Sequence, residues 1–519
     1  MAAVALAHAP QPRKLRVGVF ADARLQPRWV VDAFEQVARS DFAEVVLIAA
    51  GELRGAESWL RRAYRRLDRL AFGAEPEEAV DLTTIREPGC EHDLLKHELD
   101  VAFVLGELDD TKYDGIARYG VWRFCFGNER GHAESLAGWR EVADGAPVTG
   151  SGVKVRLRPG TPPRLAYESW SRTYPLSVER NRARLLRKTA EFPARALREL
   201  HRSGEGWLQQ CRLVREKAGA GFSDMDLLRT ASSVGARVLK RGWQKALHVE
   251  QWFIAFRFGE AFPLAADLKG FTRLLPPKDR LWADPFAIEK NGRYFVFFEE
   301  MPLAAGKGHI SMIEVKRDGS HSEPRRVLER DYHLSYPFLL ELDGELYMVP
   351  ETAQNRSIEL YRCVDFPRRW KLEKKLLEGV RLVDPTFHHG AGRWWMFANS
   401  AANGSAMFDD ELCIFHADRL LGQWQPHARN PVKSDARCAR PAGQLFWRAG
   451  ALYRPAQICV PLYGAGLSLN RVLRLTPHEY AERQVERILP GDGLLGLHTL
   501  NRAGDLTLTD AFARRSRFA

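Results

Sequence analysis

The spacing of apolar positions changes twice along the chain and divides it into three stretches. From residue 15 to about 155, short apolar runs alternate with helical patterns. Leu15–Phe20, Val45–Ala50, Leu99–Leu105 and Val121–Phe126 read as strands, since buried strands are short apolar runs rich in branched and aromatic residues. Pro27–Arg39 and Ser58–Phe72 read as helices. The first carries Pro in its opening turn, where a missing N–H costs little, and the second is strongly basic. Strands alternating with helices predict a parallel, doubly wound α/β sheet over residues 1–160. Residues 161–265 form a mostly helical, arginine-rich connector. Over Asn181–Leu200 the apolar residues keep helical spacing, and Pro193 kinks that stretch or starts a new helix. The aromatic run Trp252–Phe258 suits a strand packed against a core.

From Phe271 onward the helical period vanishes. Short strands rich in Phe, Tyr, Trp, Val and Ile alternate with Gly, Asp and Asn turns. Tyr294–Phe298 follows Asn291-Gly292, Leu346–Val349 follows Asp343-Gly344, and Trp394–Phe397 follows Gly390. These are hairpin signals. A repeat runs through them. Asp284-Pro285-Phe286, Tyr336-Pro337-Phe338, Asp384-Pro385-Thr386-Phe387, Arg440-Pro441-Ala442 and a degenerate His498-Thr499-Leu500 open successive units, at steps of 52, 48, 56 and 58 residues. That pitch suits a four-stranded blade, so residues 266–519 are predicted to form an all-β, five-bladed propeller.

A second polar residue closes a strand–turn–strand pair in each unit. Glu299, Glu351 and Asn399 stand 15 residues after the first three openers, Gln457 stands 17 after Arg440, and Asp510 stands 12 after His498. Antiparallel pairing returns each closer to the rim of its opener. Asp284, Glu299, Glu300, Glu351, Asp384, Arg440, Gln457 and His498 are therefore expected around one funnel. Strand capping and blade pinning would explain one such pair. Several acids at equivalent points suggest a use, because buried like charges are costly.

Composition narrows the class. A chain of 519 residues, 45% hydrophobic and 28% charged, reads as a soluble multidomain protein. No run approaches the roughly 18 apolar residues of a spanning helix. The apolar start, Met1–Pro10, lacks a preceding basic segment and makes a poor signal peptide, so a cytoplasmic location is the expectation. Seven scattered cysteines without a C-x-x-C pair suggest neither a disulfide framework nor a structural zinc site. The net charge of +11, arginine-dense over Arg180–Arg241, comes without a nucleic-acid motif. It reads as a solvated helical face, or as a surface for peripheral association with an anionic membrane.

Glycosyl transfer and glycoside cleavage both need paired carboxylates with divergent proton affinities. Asp284 as base, Glu351 as acid and Asp384 as orienting group fit that need. Arg440 and His498 would bind phosphate or hydroxyls, with Glu299, Glu300, Tyr336 and Gln457 lining the site. Trp282 could stack on a sugar or pack in the core. The adjacent His388-His389 pair is a weak metal signal, and no metal is expected. No resident cofactor is expected either, although a nucleotide-sugar donor is possible.

The third stretch resembles the N-terminal domain family of plant glucosamine inositolphosphorylceramide transferases and its bacterial relatives. Trp282–Phe286, Phe297–Glu300, His333–Phe338, Pro350-Glu351, Leu360–Arg362, Gly422–Trp424 with Asn430-Pro431, Ala439–Gly443, Arg454–Gln457 and His498–Leu500 carry the likeness in order, over residues 270–512. More distantly, the Asp-Pro opener looks like those of the arabinanase, levansucrase and invertase propellers, which use acids from their first three blades. Here the second unit opens with Tyr336 in place of an acid. The resemblance implies a carbohydrate-active protein, most simply a glycosyltransferase of surface or lipid-linked glycoconjugates. A glycan-binding propeller without catalysis is the alternative. The first stretch resembles the formyltransferase N-terminal fold, through Leu15–Phe20, Ser40–Leu47, Asp100–Phe103, Tyr119–Trp122 and Tyr167–Trp170. The strand that carries the catalytic Asn and His of active formyltransferases reads Trp122–Asn128, with Asn128 and His132 out of register. This implies a scaffold or a site for another ligand, with formyl or acyl transfer to an amino sugar as a further reading.

Overall fold

A computed structural model describes residues 13–51, 58–87, 96–127, 134–214, 222–259, 268–401, 408–491 and 493–518. The chain divides into two compact units. One comprises Met1–Ser169 with Thr173–Arg237, the other Trp170–Arg172 with Val238–Ala519.

The first unit is built on a mixed six-stranded sheet. Its spatial order is Ala43–Ala50, Leu15–Ala21, Val101–Val104, Val121–Phe126, Val148–Arg156 and Arg164–Arg172. The first four run parallel. Val148–Arg156 runs antiparallel to Val121–Phe126, so the expectation of a wholly parallel sheet holds only for the four strands that alternate with helices. The helix Arg28–Ala38 buries Trp29, Val30, Val31, Phe34 and Val37, the stripe that its 3.6-residue period places on one face. Phe34 and Trp29 meet Phe103 and Phe124 edge-on, which ties this helix to the sheet. Pro193 starts a new helix, since Val178–Thr189 ends before it and Phe192–Ser203 carries it in the first turn. Asn128 and His132 lie outside the described residues.

The second unit is a five-bladed β-propeller. Blade one is Arg280–Lys290, Arg293–Pro302, His309–Val315 and Arg325–Leu328. Blade two is Ser335–Leu342, Glu345–Glu351, Ser357–Asp365 and Arg369–Glu378. Blade three is Leu382–Gly390, Arg393–Ser400, Glu411–Ala417 and Gln425–Pro426, with Lys433–Ser434 also paired to its third strand. Blade four is Phe446–Arg448, Ala451–Ile458, Gly466–Leu475 and Tyr480–Ile488. Blade five joins the two ends of the unit. Leu494–Ala503 and Leu506–Ser516 come from the C-terminus, His248–Phe258 and Thr272–Leu274 from its start. Leu506–Ser516 pairs with His248–Phe258 along its whole length, from Leu506 opposite Phe258 to Ser516 opposite His248. The fifth blade thus takes a strand from before residue 266, and the 265/266 boundary itself falls among residues outside the described ones.

The turns between the first two strands of blades one to four share one backbone. Asn291-Gly292, Asp343-Gly344, Ala391-Gly392 and Ala449-Gly450 all have positive φ at both residues, as tight hairpins of twisted strands require. Phe286, Phe338 and Phe387, each just after an opener, meet in sequence across blades one, two and three, edge-on and then tilted, with ring centroids 5.5 and 5.6 Å apart. These rings pack the inner edges of neighbouring blades together and set the openers side by side.

Candidate active site at the propeller axis

Four of the five openers sit on a bulge, and Arg440 lies ahead of the first strand of blade four. The pairing of the first two strands skips Asp284-Pro285 in blade one, Tyr336-Pro337 in blade two and Asp384-Pro385 in blade three, and His498-Thr499 is skipped in blade five. Asp284, Tyr336 and Asp384 all take positive φ, at 53°, 46° and 53°. That conformation is costly for a residue with a side chain, on the order of 1–3 kcal/mol each. The bulge frees these residues from the ladder and turns them out of the strand. The closers stand beside them. Glu299, Glu351 and Asn399 pair with Ala283, Ser335 and Val383, the residues just before the openers, and the Gln457 N–H bonds the Arg440 carbonyl.

Hydrogen bonds run from blade to blade around the axis. Asp510 is fully buried and accepts the N–H groups of Asp284 at 2.7 Å, His498 at 3.2 Å and Thr499 at 2.9 Å. Asp284 in turn accepts the Tyr336 N–H at 3.2 Å. The Tyr336 hydroxyl accepts the Gly443 N–H at 2.6 Å and shares a hydrogen bond with Thr386 at 2.8 Å. Gly443 can only be glycine, because a Cβ there would lie 2.2 Å from the Leu500 carbonyl oxygen. Asp384 is gripped by Arg440 through Nε at 2.6 Å and its second nitrogen at 3.2 Å, and by Gln457 at 2.7 Å. Asn501 closes the ring, accepting from Gln444 N–H and donating to the Pro285 carbonyl, both at 2.9 Å.

Two charge clusters result. In the first, the His498 ring nitrogens face Asp510 at 2.7 Å and Asp284 at 3.3 Å. Burial works against a charged His498, yet the two carboxylates raise its proton affinity. Burial pushes Asp284 well above the usual carboxylate range, against the pull of His498. Asp510 is lowered: burial opposes this, but His498 and the backbone N–H groups prevail. The Trp252 ring covers His498 at 4.0 Å. Ligand atoms of Asp284, His498 and Asp510 lie within 4.8 Å of one another, so the three could hold a cation. A metal there would have to displace the proton that both carboxylates favour on His498.

In the second cluster, Glu299 and Glu351 are both pushed up to about 8. Burial is the main cause for each. Glu351 then raises Glu299, and Asp384 raises Glu351, while Arg440 opposes both. The neighbouring Asp384 carboxyl is the second cause of the rise at Glu351, after burial. His333 accepts the Gly308 N–H on Nδ1 at 2.9 Å, which assigns its proton to Nε2, 3.5 Å from Glu299. Glu351, Tyr463 and His333 are partly exposed, and Arg440 keeps some access while its guanidinium lies 4.7 Å from the Tyr463 ring. Solvent therefore reaches Glu351 at this cluster, whereas Glu299 and Asp384 are buried, as Asp284 and His498 are.

Three sequence-based candidates have other roles. Glu300 faces the opposite side of its strand from Glu299, as successive residues must. It accepts from Ser311 at 2.6 Å, Arg280 at 2.9 Å and Trp282 at 3.3 Å, and pairs with His309 at 3.2 Å. Trp282 is buried against Phe298, with no free ring face for a sugar. Tyr336 is fully buried, with its hydroxyl engaged across the axis. His388 and His389 lie on opposite faces of one strand, next to the hairpin, and His389 packs on Trp394. Asp510, Tyr463, Trp252 and His333 join the axis without having been selected as site residues. Asp510 carries a signal as closer of the fifth unit, and His333 opens the His333–Phe338 motif.

The fold and site thus define a five-bladed propeller with a buried cluster of acids at its axis. Residues 275–491 match the family model described as glucosamine inositolphosphorylceramide transferase 1, N-terminal. The match ends before His498 and Asp510. The chain is 36% identical over 203 residues to glucosamine inositolphosphorylceramide transferase 1 of Oryza sativa subsp. japonica, covering 38% of this chain and 27% of that protein. To the protein of the same name from Arabidopsis thaliana it is 34% identical over 206 residues, covering 39% and 27%. The chain therefore matches about a quarter of the length of these curated relatives. Among solved structures, a family 117 glycoside hydrolase of Zobellia galactanivorans aligns at 12% identity and TM-score 0.34, over 52% of this chain and 92% of that one. An exo-1,5-α-L-arabinanase from a bovine ruminal metagenomic library aligns at 13% and 0.32, over 45% and 92%.

Proposed function

We propose that the propeller axis acts on a carbohydrate, as a glycosyltransferase in the assembly of a surface or lipid-linked glycoconjugate. The observation that carries this reading is Glu351, a solvent-reachable carboxyl that keeps its proton to about pH 8 beside Asp384 and Arg440. A protonated carboxyl is what a departing glycosidic oxygen needs. Arg440 supplies Asp384 with a counter-charge, and Asp384 orients Glu351. Asp284 takes the part of base once its proton has passed to His498, whose charged form Asp510 and Asp284 favour. Tyr463 and Arg440 offer a ring face and a cation to the sugar or to a nucleotide-sugar phosphate. The names of the matched relatives support a sugar-containing substrate.

The test is Asp284→Asn, assayed across nucleotide sugars and aryl glycosides. Loss of turnover by roughly 10²–10⁴-fold, with an unchanged melting curve, is expected. Full activity would remove Asp284 from the chemistry.

One observation favours non-catalytic glycan binding. Asp284, Tyr336 and Asp384 all bond to a neighbouring blade, so pinning alone accounts for part of their presence. Saturable sugar binding without turnover would establish that reading. For the first unit we propose a formyltransferase-like scaffold without formyl transfer. Folate binding to the chain would revive formyl transfer to an amino sugar.

A further inference from the structure

The helix Asp224–Leu247 carries its apolar stripe on the outside. Leu239, Trp243 and Leu247 follow one another at four-residue steps, which places them on one face. Leu239 and Trp243 are both 69% exposed, and Leu247 is 41% exposed. Met225 and Leu228, nearer the helix start, are also exposed. Such a stripe ordinarily faces a core. Here the helix buries Leu227, Thr230 and Val234 instead.

The C-terminal tail runs to the same place. Arg517 donates its N–H to the Leu247 carbonyl at 3.0 Å and its Nε to the Lys245 carbonyl at 3.1 Å. This fixes Phe518, 82% exposed, beside the last helical turn. The helix that bears the stripe is basic, and the next acid along the chain, Glu250, is paired with Arg514. From Leu227 to Val249 there is no Asp or Glu, while Arg229, Arg237, Lys240, Arg241 and Lys245 are all basic. On the wheel, Lys240, Arg241 and Lys245 occupy the arc beside and behind the stripe.

From this geometry we infer that Val238–Leu247 and the Arg517-Phe518 tail form a docking surface for an anionic phospholipid membrane. Trp243, Leu239 and Phe518 enter the interface, Lys240 beside them meets the headgroups, and Arg241 and Lys245 add positive field from the far arc of the helix. An exposed apolar face flanked by basic residues, with Trp and Phe among its members, matches an interfacial helix lying in the membrane plane. No described helix is long and apolar enough to cross a membrane, so this one would lie on the surface. Charge decides against a second copy as occupant, because a two-fold contact would bring the same lysines and arginines face to face. The surface is separate from the axis site and does not depend on the reading given for it.

The experiment is flotation of the full chain with vesicles. Vesicles of phosphatidylglycerol and phosphatidylcholine in equal parts should carry the protein up, and phosphatidylcholine alone should not. Raising salt should weaken the binding, since surface charge is screened. Lys240→Gln should lower affinity by about fivefold, and Arg241→Gln by less. Leu239→Ala with Trp243→Ala should abolish flotation while leaving the melting curve unchanged, as both side chains face solvent. Absence of flotation with the anionic vesicles would overturn the inference. So would equal flotation of the Leu239→Ala, Trp243→Ala variant. A lipid-free dimer in sedimentation, lost on Trp243→Ala, would overturn it in favour of a second copy.

Discussion

At the scale of single residues, burial and neighbouring charge set the chemistry. Glu299 and Glu351 bind protons more tightly in the fold than in the unfolded chain, where a glutamate titrates at about 4.5. A carboxyl raised in this way loses stability as pH rises between the two values. Thermal stability should therefore fall between about pH 4.5 and about pH 8, and Glu351→Gln should flatten the decline; differential scanning calorimetry across that range measures both. If Glu351 is the acid, turnover should drop about tenfold per pH unit above about 8, and the glutamine variant should lack that limb. Arg440 is the counter-charge of a buried Asp384. Arg440→Gln should cost roughly 3–5 kcal/mol in urea unfolding, and the added change Asp384→Asn should restore much of it.

At the scale of elements, the strand-and-bulge unit explains why the openers repeat. A proline after the opener cannot donate to the ladder, so a bulge is the natural place for it within a strand. The bulge turns the preceding residue toward the axis, and the cost of its positive φ is met by hydrogen bonds from the next blade. The hairpin turns show a smaller mismatch. Ala391 and Ala449 adopt the positive φ that Asn291 and Asp343 fill in the other blades. Alanine lacks the local bonding by which Asn tolerates this region. Ala391→Asn and Ala449→Asn should each stabilise the propeller by about 0.5–1 kcal/mol, read as a higher denaturation midpoint.

At the scale of the whole molecule, blade five decides whether the ring closes. Its third strand, His248–Phe258, is supplied by the start of the second unit and pairs along Leu506–Ser516. It also brings Trp252 onto His498. A chain beginning at residue 266 would expose the Leu506–Ser516 edge and open the ring. It should aggregate or show no cooperative melt. A two-part experiment that restores folding with a separately added 238–265 peptide would tie the failure to that strand.

The propeller could be read in advance because its information is local and repeated. Hairpin turns, β-rich runs and openers at a near-constant pitch each depend on a few adjacent residues. The four parallel strands of the first unit were legible for the same reason. The clustering of Asp284, Glu299, Glu351, Asp384, Arg440, Gln457 and His498 follows from that repeat, since equivalent points of blades meet at the axis. Their roles do not. Glu299 and Glu300 are indistinguishable along the chain, and only the pleat sends one to the axis and the other to Arg280. Tyr336 pins blades through a hydroxyl that meets Gly443, more than a hundred residues away, a partner that no local pattern names. Trp252, Tyr463 and His333 reach the site although none of them is an opener or a closer. The sequence determined the blades, their order and which residues could meet. Only the tertiary structure decided which acids keep a proton and which are spent on pinning blades, because proton affinity and hydrogen bonding are set by neighbours in space.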